Sequence, residues 1–229
     1  MNFVKEKKES VSPAVISRLP RYYRYLRDLL SNDIYRISSS EFSKRMNVTA
    51  SQIRQDLNCF GGFGQQGYGY NVKYLFGKVS EILGVLKNYK AVIIGAGNLG
   101  CALAQSRMFI KRGVYLTALF DNNPEIIGKR IDGLEVLSME ELSDYCKKEK
   151  IDIAVLALPG DSAEEVSVLL HDIGIKGIWN FTNRDLSAIT DSTLIQNVHL
   201  GDSLMQLTYK MSESEEETTD GKGIIKKSL

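Results

Sequence analysis

In the middle of the chain a short β-branched run, Lys90 to Ile94 (KAVII), feeds directly into the hexapeptide GAGNLG at residues 95–100. An apolar-periodic helix follows, through Leu103 and Phe109. Strand, GxGxxG loop and helix in that order are the fingerprint of a dinucleotide-binding βαβ unit. Gly95 permits the tight turn, Gly97 lets a pyrophosphate reach backbone N–H groups, and Gly100 allows close packing of helix on strand. Ala96, Asn98 and Leu99 complete the loop, and the helix start offers partial positive charge to phosphate. A second strand, Tyr115 to Phe120, ends at Asp121, 21 residues after Gly100, where a carboxylate accepts the hydroxyls of an adenine ribose. Asn122, Asn123 and Pro124 follow without an arginine for a 2′-phosphate, so NAD(H) is expected rather than its phosphorylated form. A Rossmann-like domain that has lost its ligand would leave the same pattern.

Further strands are expected at Ile151 to Leu158 and at Gly177 to Phe181, with a helix between them carrying Val166, Leu169, Leu170 and Ile173. Alternating strands and helices imply an α/β fold with a Rossmann-type parallel sheet, whose ligand sits at the strand carboxyl ends. Pro159, Asn180 and Phe181 fall at such ends and, with Phe109, are candidates for lining the cofactor site. They also read as a turn proline, a cap and core aromatics.

The formal charge of +1 conceals a division. Residues 1–80 hold 13 basic against 6 acidic side chains, net +7, which leaves 16 basic and 22 acidic in the remainder, net −6. A basic half gains free energy by displacing counterions from a polyanion. Apolar residues from Val15 to Leu30 recur at three- and four-residue spacing, so one amphipathic helix is expected there, with a bend or fresh start at Pro20. Ser38 to Ser40 cap a short helix, EFSKRM, and Asn47-Val48 turn into a third helix capped by Thr49. Two short helices joined by a tight turn make a helix-turn-helix.

In the third helix Ile53, Leu57 and Phe60 should face the core, which leaves Ser51, Gln52, Arg54, Gln55 and Asn58 for base edges in a major groove. The glycine-rich GGFGQQGYGYNV reads as the hairpin of a winged helix, with Gly67, Tyr68 and Gly69 approaching the sugar-phosphate chain. Arg18, Arg21 and Arg45 are candidate phosphate contacts. The partner is therefore double-stranded DNA, unless the three helices form a protein-binding module. The expected division is 1–80 for the winged helix, 81–200 for the Rossmann domain, 201–211 for a carboxy-terminal helix and 212–229 for a disordered polar tail.

Three cysteines without a CxxC pair, only His171 and His199 as histidines, and no long apolar run argue against disulfides, metal and membrane, and for a cytoplasmic protein. Cys59 and Cys101 adjoin the two candidate sites and suggest a thiol sensor, but buried structural cysteine is the commoner case.

The motifs PAVISRLPRYYRYL, VTASQIRQDLNCFG, GYGY, VIIGAGNLGCALA, FDNNPEIIG, LALP, GIWNF and VHLGDSLMQL occur in order from Pro13 to about Tyr209. Together they resemble the redox-sensing transcriptional repressor Rex family. The resemblance implies a homodimer with a carboxy-terminal helix swapped onto the partner, a Rossmann domain for NADH or NAD+, and release from operator DNA on NADH binding. Three departures stand out. Gln55 replaces a lysine of the family's recognition helix, Ser106 replaces a tyrosine that takes part in nicotinamide sensing, and His199 replaces an aspartate. By alignment that aspartate pairs with the arginine here numbered Arg24, and an imidazole cannot make the same ion pair. A weakened redox switch is expected. Competing readings are a regulator whose Rossmann domain only dimerises and an NAD-dependent dehydrogenase, although neither histidine sits in a catalytic constellation and no substrate domain is evident.

Overall fold

The computed structural model describes residues 11–61, 64, 65, 69–189 and 192–220, with the side chains of 64, 65 and 215–220 excepted. It divides into two units, Met1–Lys87 and Asn88–Leu229. The boundary expected at residue 80 falls inside a helix, Val72–Ile82, whose apolar face seals the first unit.

In the first unit, helix α1 spans Pro13–Ser31 and buries Val15, Leu19, Tyr22, Leu26 and Leu29. No break occurs at Pro20, contrary to expectation. The carbonyl that Pro20 cannot serve belongs to Ile16, and both residues lie on the solvent side, so water can take the lost bond. The short strand β1 (Arg36–Ile37) precedes α2 (Ser39–Met46), which is capped by Ser38 in a reciprocal box with Glu41. Asn47, at φ +54, ends α2 in the left-handed region, and Thr49 caps α3 (Ala50–Asn58) two residues on. That tight turn is the helix-turn-helix. Strands β2 (Gly64–Gln65) and β3 (Gly69–Asn71) form the antiparallel wing, with β1 completing a three-stranded sheet in the order β1-β3-β2. Helix α4 (Val72–Ile82) closes the unit.

The second unit carries β4 (Tyr89–Ile94), α5 (Asn98–Ala104), β5 (Val114–Asp121), β6 (Arg130–Ile131), β7 (Leu134–Ser138), α6 (Leu142–Glu149), β8 (Ile153–Leu156), α7 (Ala163–Asp172), β9 (Gly177–Asn180), β10 (Leu194–Asn197) and α8 (Leu200–Asp220). The sheet order is β10-β9-β8-β4-β5-β7-β6, parallel except for the β6–β7 hairpin. Without β6 this is the doubly wound 3-2-1-4-5-6 order, and the direction of winding reverses between β4 and β8. The central strands are buried on both faces, as a sheet between two helix layers requires.

Two expectations fail here. The helix after the glycine loop stops at Ala104 rather than running through Phe109, because the Ser106 hydroxyl accepts the Met108 N–H and turns the chain. At the carboxy end, α8 continues to Asp220 where a disordered tail from residue 212 was expected. Glutamate is a strong helix former, and Tyr209 Oη donates to Glu213 one turn on.

Candidate nucleic-acid face and nucleotide cleft

On α3 the side chains divide by the helical period. Ile53, Asp56 and Leu57 are buried, whereas Ser51, Arg54, Gln55 and Asn58 are exposed. Arg45, in the last turn of α2, is exposed and unpaired among the described residues. Arg54 donates to Ser39 Oγ, which tethers its guanidinium across the turn. Gly67 and Tyr68 lie outside the described residues. Gly69 is required by packing: at φ +71, a Cβ there would sit 2.6 Å from the Ile37 carbonyl oxygen.

Arg18 requires a correction. Its Nε and Nη2 donate to Asp56 at 2.6 and 2.8 Å, and Tyr22 Oη donates to the same carboxylate at 2.7 Å. Asp56 is fully buried, so the guanidinium is held as its counter-ion instead of being offered to DNA. Burial pushes the Asp56 carboxyl upward, but hydrogen bonds from Arg18, Tyr22 and Gln52 and the Arg18 charge outweigh it, and the net position is below the usual range. Arg21 stays exposed, with Nη2 donating to the Met46 carbonyl at the end of α2. Sequence periodicity missed Asp56, although a carboxylate between two core residues, Ile53 and Leu57, on an inward stripe is the available signal.

In the second unit the glycine loop opens at the switch point between β4 and β8. Gly95 has φ +99, and a Cβ on it would approach the Ala157 carbonyl oxygen to 2.5 Å. A Cβ on Gly100 would overlap the carbonyl oxygen of Gly95, so the third glycine lets the helix start meet the loop itself. Gly97 has open space beside it. Asp121, at the end of β5, accepts the Ala96 N–H on one oxygen at 2.7 Å and the Asn123 N–H on the other at 2.9 Å. About two of the four acceptor positions of a carboxylate remain. A cavity of about 350 Å³ opens here, lined by Gly97, Asp121, Met139, Pro159, Ser162 and Val166 among others. Its size suits a cofactor, and Met139 and Val166 supply apolar surface for a flat ring. Met139, Ser162 and Val166 escaped sequence reasoning, which marked strand ends and not the helix starts beyond them.

Asn98 and Leu99 begin α5, with Asn98 exposed and Leu99 half-buried. Asn180 and Phe181 do not line this cavity. Asn180 is fully buried: its Nδ2 donates to the Arg184 carbonyl and Asn197 Oδ1, and its Oδ1 accepts the Thr182 N–H. It is the hub that ties β9 to β10. Asn180→Ala is expected to cost about 2 kcal/mol of stability, the cost of orphaned buried partners, with NADH affinity unchanged in the folded protein. Thermal unfolding and calorimetry check both halves. Phe181 packs edge-on to Trp179, which packs edge-on to buried Phe109. Phe109 and Ser106 border a separate cavity of about 140 Å³. Cys59 is exposed, Cys101 is half-buried with Sγ donating to the Ala96 carbonyl, and Cys146 is buried with its thiol pushed up to about 11 by desolvation. At pH 8, maleimide is expected to label Cys59 readily and Cys146 only on unfolding, as read by mass spectrometry of peptides.

A winged helix-turn-helix joined to a doubly wound nucleotide sheet defines a class of ligand-responsive DNA-binding regulators, and the comparisons agree. Residues 10–58 match the family model "Putative DNA-binding protein N-terminus" and residues 86–184 match "CoA binding domain". The chain is 53% identical over 207 residues to the redox-sensing transcriptional repressor Rex of Caldicellulosiruptor saccharolyticus, covering 90% of this chain and 94% of that protein. It is 51% identical over 210 residues to Rex of Clostridium botulinum, covering 92% and 100%. The chain belongs to the redox-sensing transcriptional repressor Rex family. A crystal structure of the repressor RSP with β-NAD+ and operator DNA is similar at a TM-score of 0.85 and 50% identity, over 95% of this chain and 100% of that one. RSP with β-NADH is similar at a TM-score of 0.84 and 48% identity, over 92% and 99%. These relatives are repressors and not dehydrogenases.

Proposed function

We infer that this chain is an NAD(H)-responsive transcriptional repressor that binds operator DNA as a homodimer and is released by NADH. The observation that carries the reading is the union, in one chain, of an exposed polar face on α3 with a glycine loop held against Asp121. The relative RSP, half identical to it, is described both with β-NAD+ and operator DNA and with β-NADH. Ser51, Arg54, Gln55 and Asn58 would meet base edges or the adjoining backbone, and Arg45 a phosphate. Gly95 to Gly100 would hold the pyrophosphate, and the spare acceptors of Asp121 the adenine ribose. That carboxylate repels a ribose phosphate, which favours NAD(H) over NADP(H) or coenzyme A.

The dimer reading rests on α8, where Leu200, Leu204, Leu207 and Met211 share one side of the helix and are each more than half exposed. An apolar face of that size on a soluble protein calls for a partner surface, and a second copy supplies one. Among the described residues no helix is long and apolar enough to cross a membrane, and an operator-binding protein works in the cytoplasm.

Nucleotide can drive release only by binding the DNA-competent and DNA-incompetent dimers unequally. The chain's own residues weaken that difference: Ser106 is spent on the Met108 N–H, His199 is exposed, and Arg24 is exposed and without an ion pair among the described residues. Titrating a bound operator fragment with NADH and with NAD+ tests the reading. NADH should release the duplex and NAD+ should not, and indifference to both would refute nucleotide sensing. His199→Asp is expected to widen the gap between the two nucleotides, measured in the same titration.

A further inference from the structure

We propose that the buried Arg18–Asp56–Tyr22 cluster is a positioning device for base readout: it holds Gln52 with its amide nitrogen inward and its carbonyl oxygen outward, so that Gln52 recognises an exocyclic amino group, adenine N6 or cytosine N4. The proposal rests on the DNA-reading role of α3. Gln52 lies one turn before Asp56, and its Nε2 donates to Asp56 Oδ1 at 2.8 Å. With the two bonds from Arg18 and the one from Tyr22, the carboxylate receives four donors, about its full capacity. An ionised carboxylate has no proton to give. The Gln52 carbonyl oxygen therefore cannot face it, and the usual ambiguity of an amide's orientation is removed by chemistry.

The backbone at this position is fixed as well, since the Gln52 N–H is bonded to Thr49 Oγ1 in the first turn of α3. Residues in the first turn of a recognition helix are those that reach base edges. The Gln52 carbonyl oxygen has no hydrogen-bond partner among the described residues, and it is an acceptor. In the major groove adenine and cytosine present amino donors, whereas guanine O6 and thymine O4 present acceptors that repel it. An unconstrained glutamine would read adenine with both ends of its amide. Here one N–H is committed to Asp56, so the oxygen dominates. Arg18 and Tyr22 thus act on the bases without touching them.

The test selects duplexes from a random pool with the full-length protein and identifies the base pair whose preference is lost in Gln52→Met. At that pair the wild type should favour adenine or cytosine, the two being separated by the selected base. It should lose about tenfold in affinity when the amino group is removed, as with purine in place of adenine. Gln52→Met should be indifferent to the removal. Asp56→Asn, which can face Gln52 with either end of its own amide, should lose about tenfold of discrimination at that pair while keeping its affinity for random duplex. A merely structural Asp56 would weaken all duplexes equally, and that result overturns the positioning role. A wild-type preference for guanine or thymine, or an amino-group loss that Gln52→Met shares, overturns the proposal whether or not Asp56→Asn folds. Failure of the wild type to select any duplex would instead overturn the repressor reading.

Discussion

Gly100→Ala is expected to destabilise the second unit by about 2 kcal/mol, as overpacking does, and to lower NADH affinity by about tenfold or more, since each 1.4 kcal/mol is a factor of ten. The cause is local. The new Cβ overlaps the carbonyl oxygen of Gly95, and neither atom can yield alone. The Gly95 oxygen belongs to a residue at φ +99 whose own α-carbon is packed against the Ala157 carbonyl, and its N–H is bonded to Phe120. Displacing it therefore moves the turn that sets the Ala96 N–H on Asp121. Gly97→Ala separates binding from folding. Gly97 has φ −73 and ψ −169, which alanine adopts freely, and nothing surrounds its Cβ position. Stability should stay within about 0.5 kcal/mol of wild type, as at an unconstrained surface position, while affinity still falls because the methyl group occupies the approach of the pyrophosphate. Thermal unfolding with calorimetric titration of NADH reads both. Equal destabilisation by the two substitutions would show that the glycines are not divided in this way.

This division of labour among the glycines was legible in the sequence in kind, because a strand, a GxGxxG loop and Asp121 specify one local geometry. What periodicity could not supply was any fact that depends on two distant segments. Arg18 and Asp56 are 38 residues apart, and nothing in the helical pattern of α1 tells an arginine directed at the core from one directed at solvent. Asn180 read as a strand-end ligand because strand ends are where ligands sit. Its partners, Arg184 and Asn197, come from a loop and from β10, which sequence reading did not register. One omission was avoidable. Asp132 and Gly133, at φ +50 and +85 between β6 and β7, form a hairpin turn flanked by Ile131 and Leu134, and Asp-Gly between apolar residues is a strong hairpin signal. The extent of α8 had a signal too, since Ser212 to Glu217 contains nothing that breaks a helix.

Arg18→Ala is expected to cost the first unit about 3 kcal/mol, in the range for removing one partner of a buried ion pair. Tyr22 and Gln52 continue to donate to Asp56 and keep the loss at the lower end of that range. A guanidinium on a DNA phosphate would give a different result, namely unchanged stability with weaker binding on every duplex. Acid distinguishes the two further. In the wild type the folded Asp56 carboxyl titrates below its unfolded value of about 3.9, so its contribution is complete above that pH and is lost as pH falls through the lower folded value. Without Arg18, only the bonds from Tyr22 and Gln52 oppose burial, so the folded value moves upward from its wild-type position. The variant then loses less stability on acidification through this carboxyl than the wild type does, and the gap between them should narrow as pH falls through about 4 and below. Urea unfolding of both proteins across that range is the measurement. A gap independent of pH would mean that Asp56 is neutral in the fold and that Arg18 is no counter-ion. Arg18→Lys should recover only part of the loss, because an ammonium cannot span both carboxylate oxygens as the Nε and Nη2 of Arg18 do.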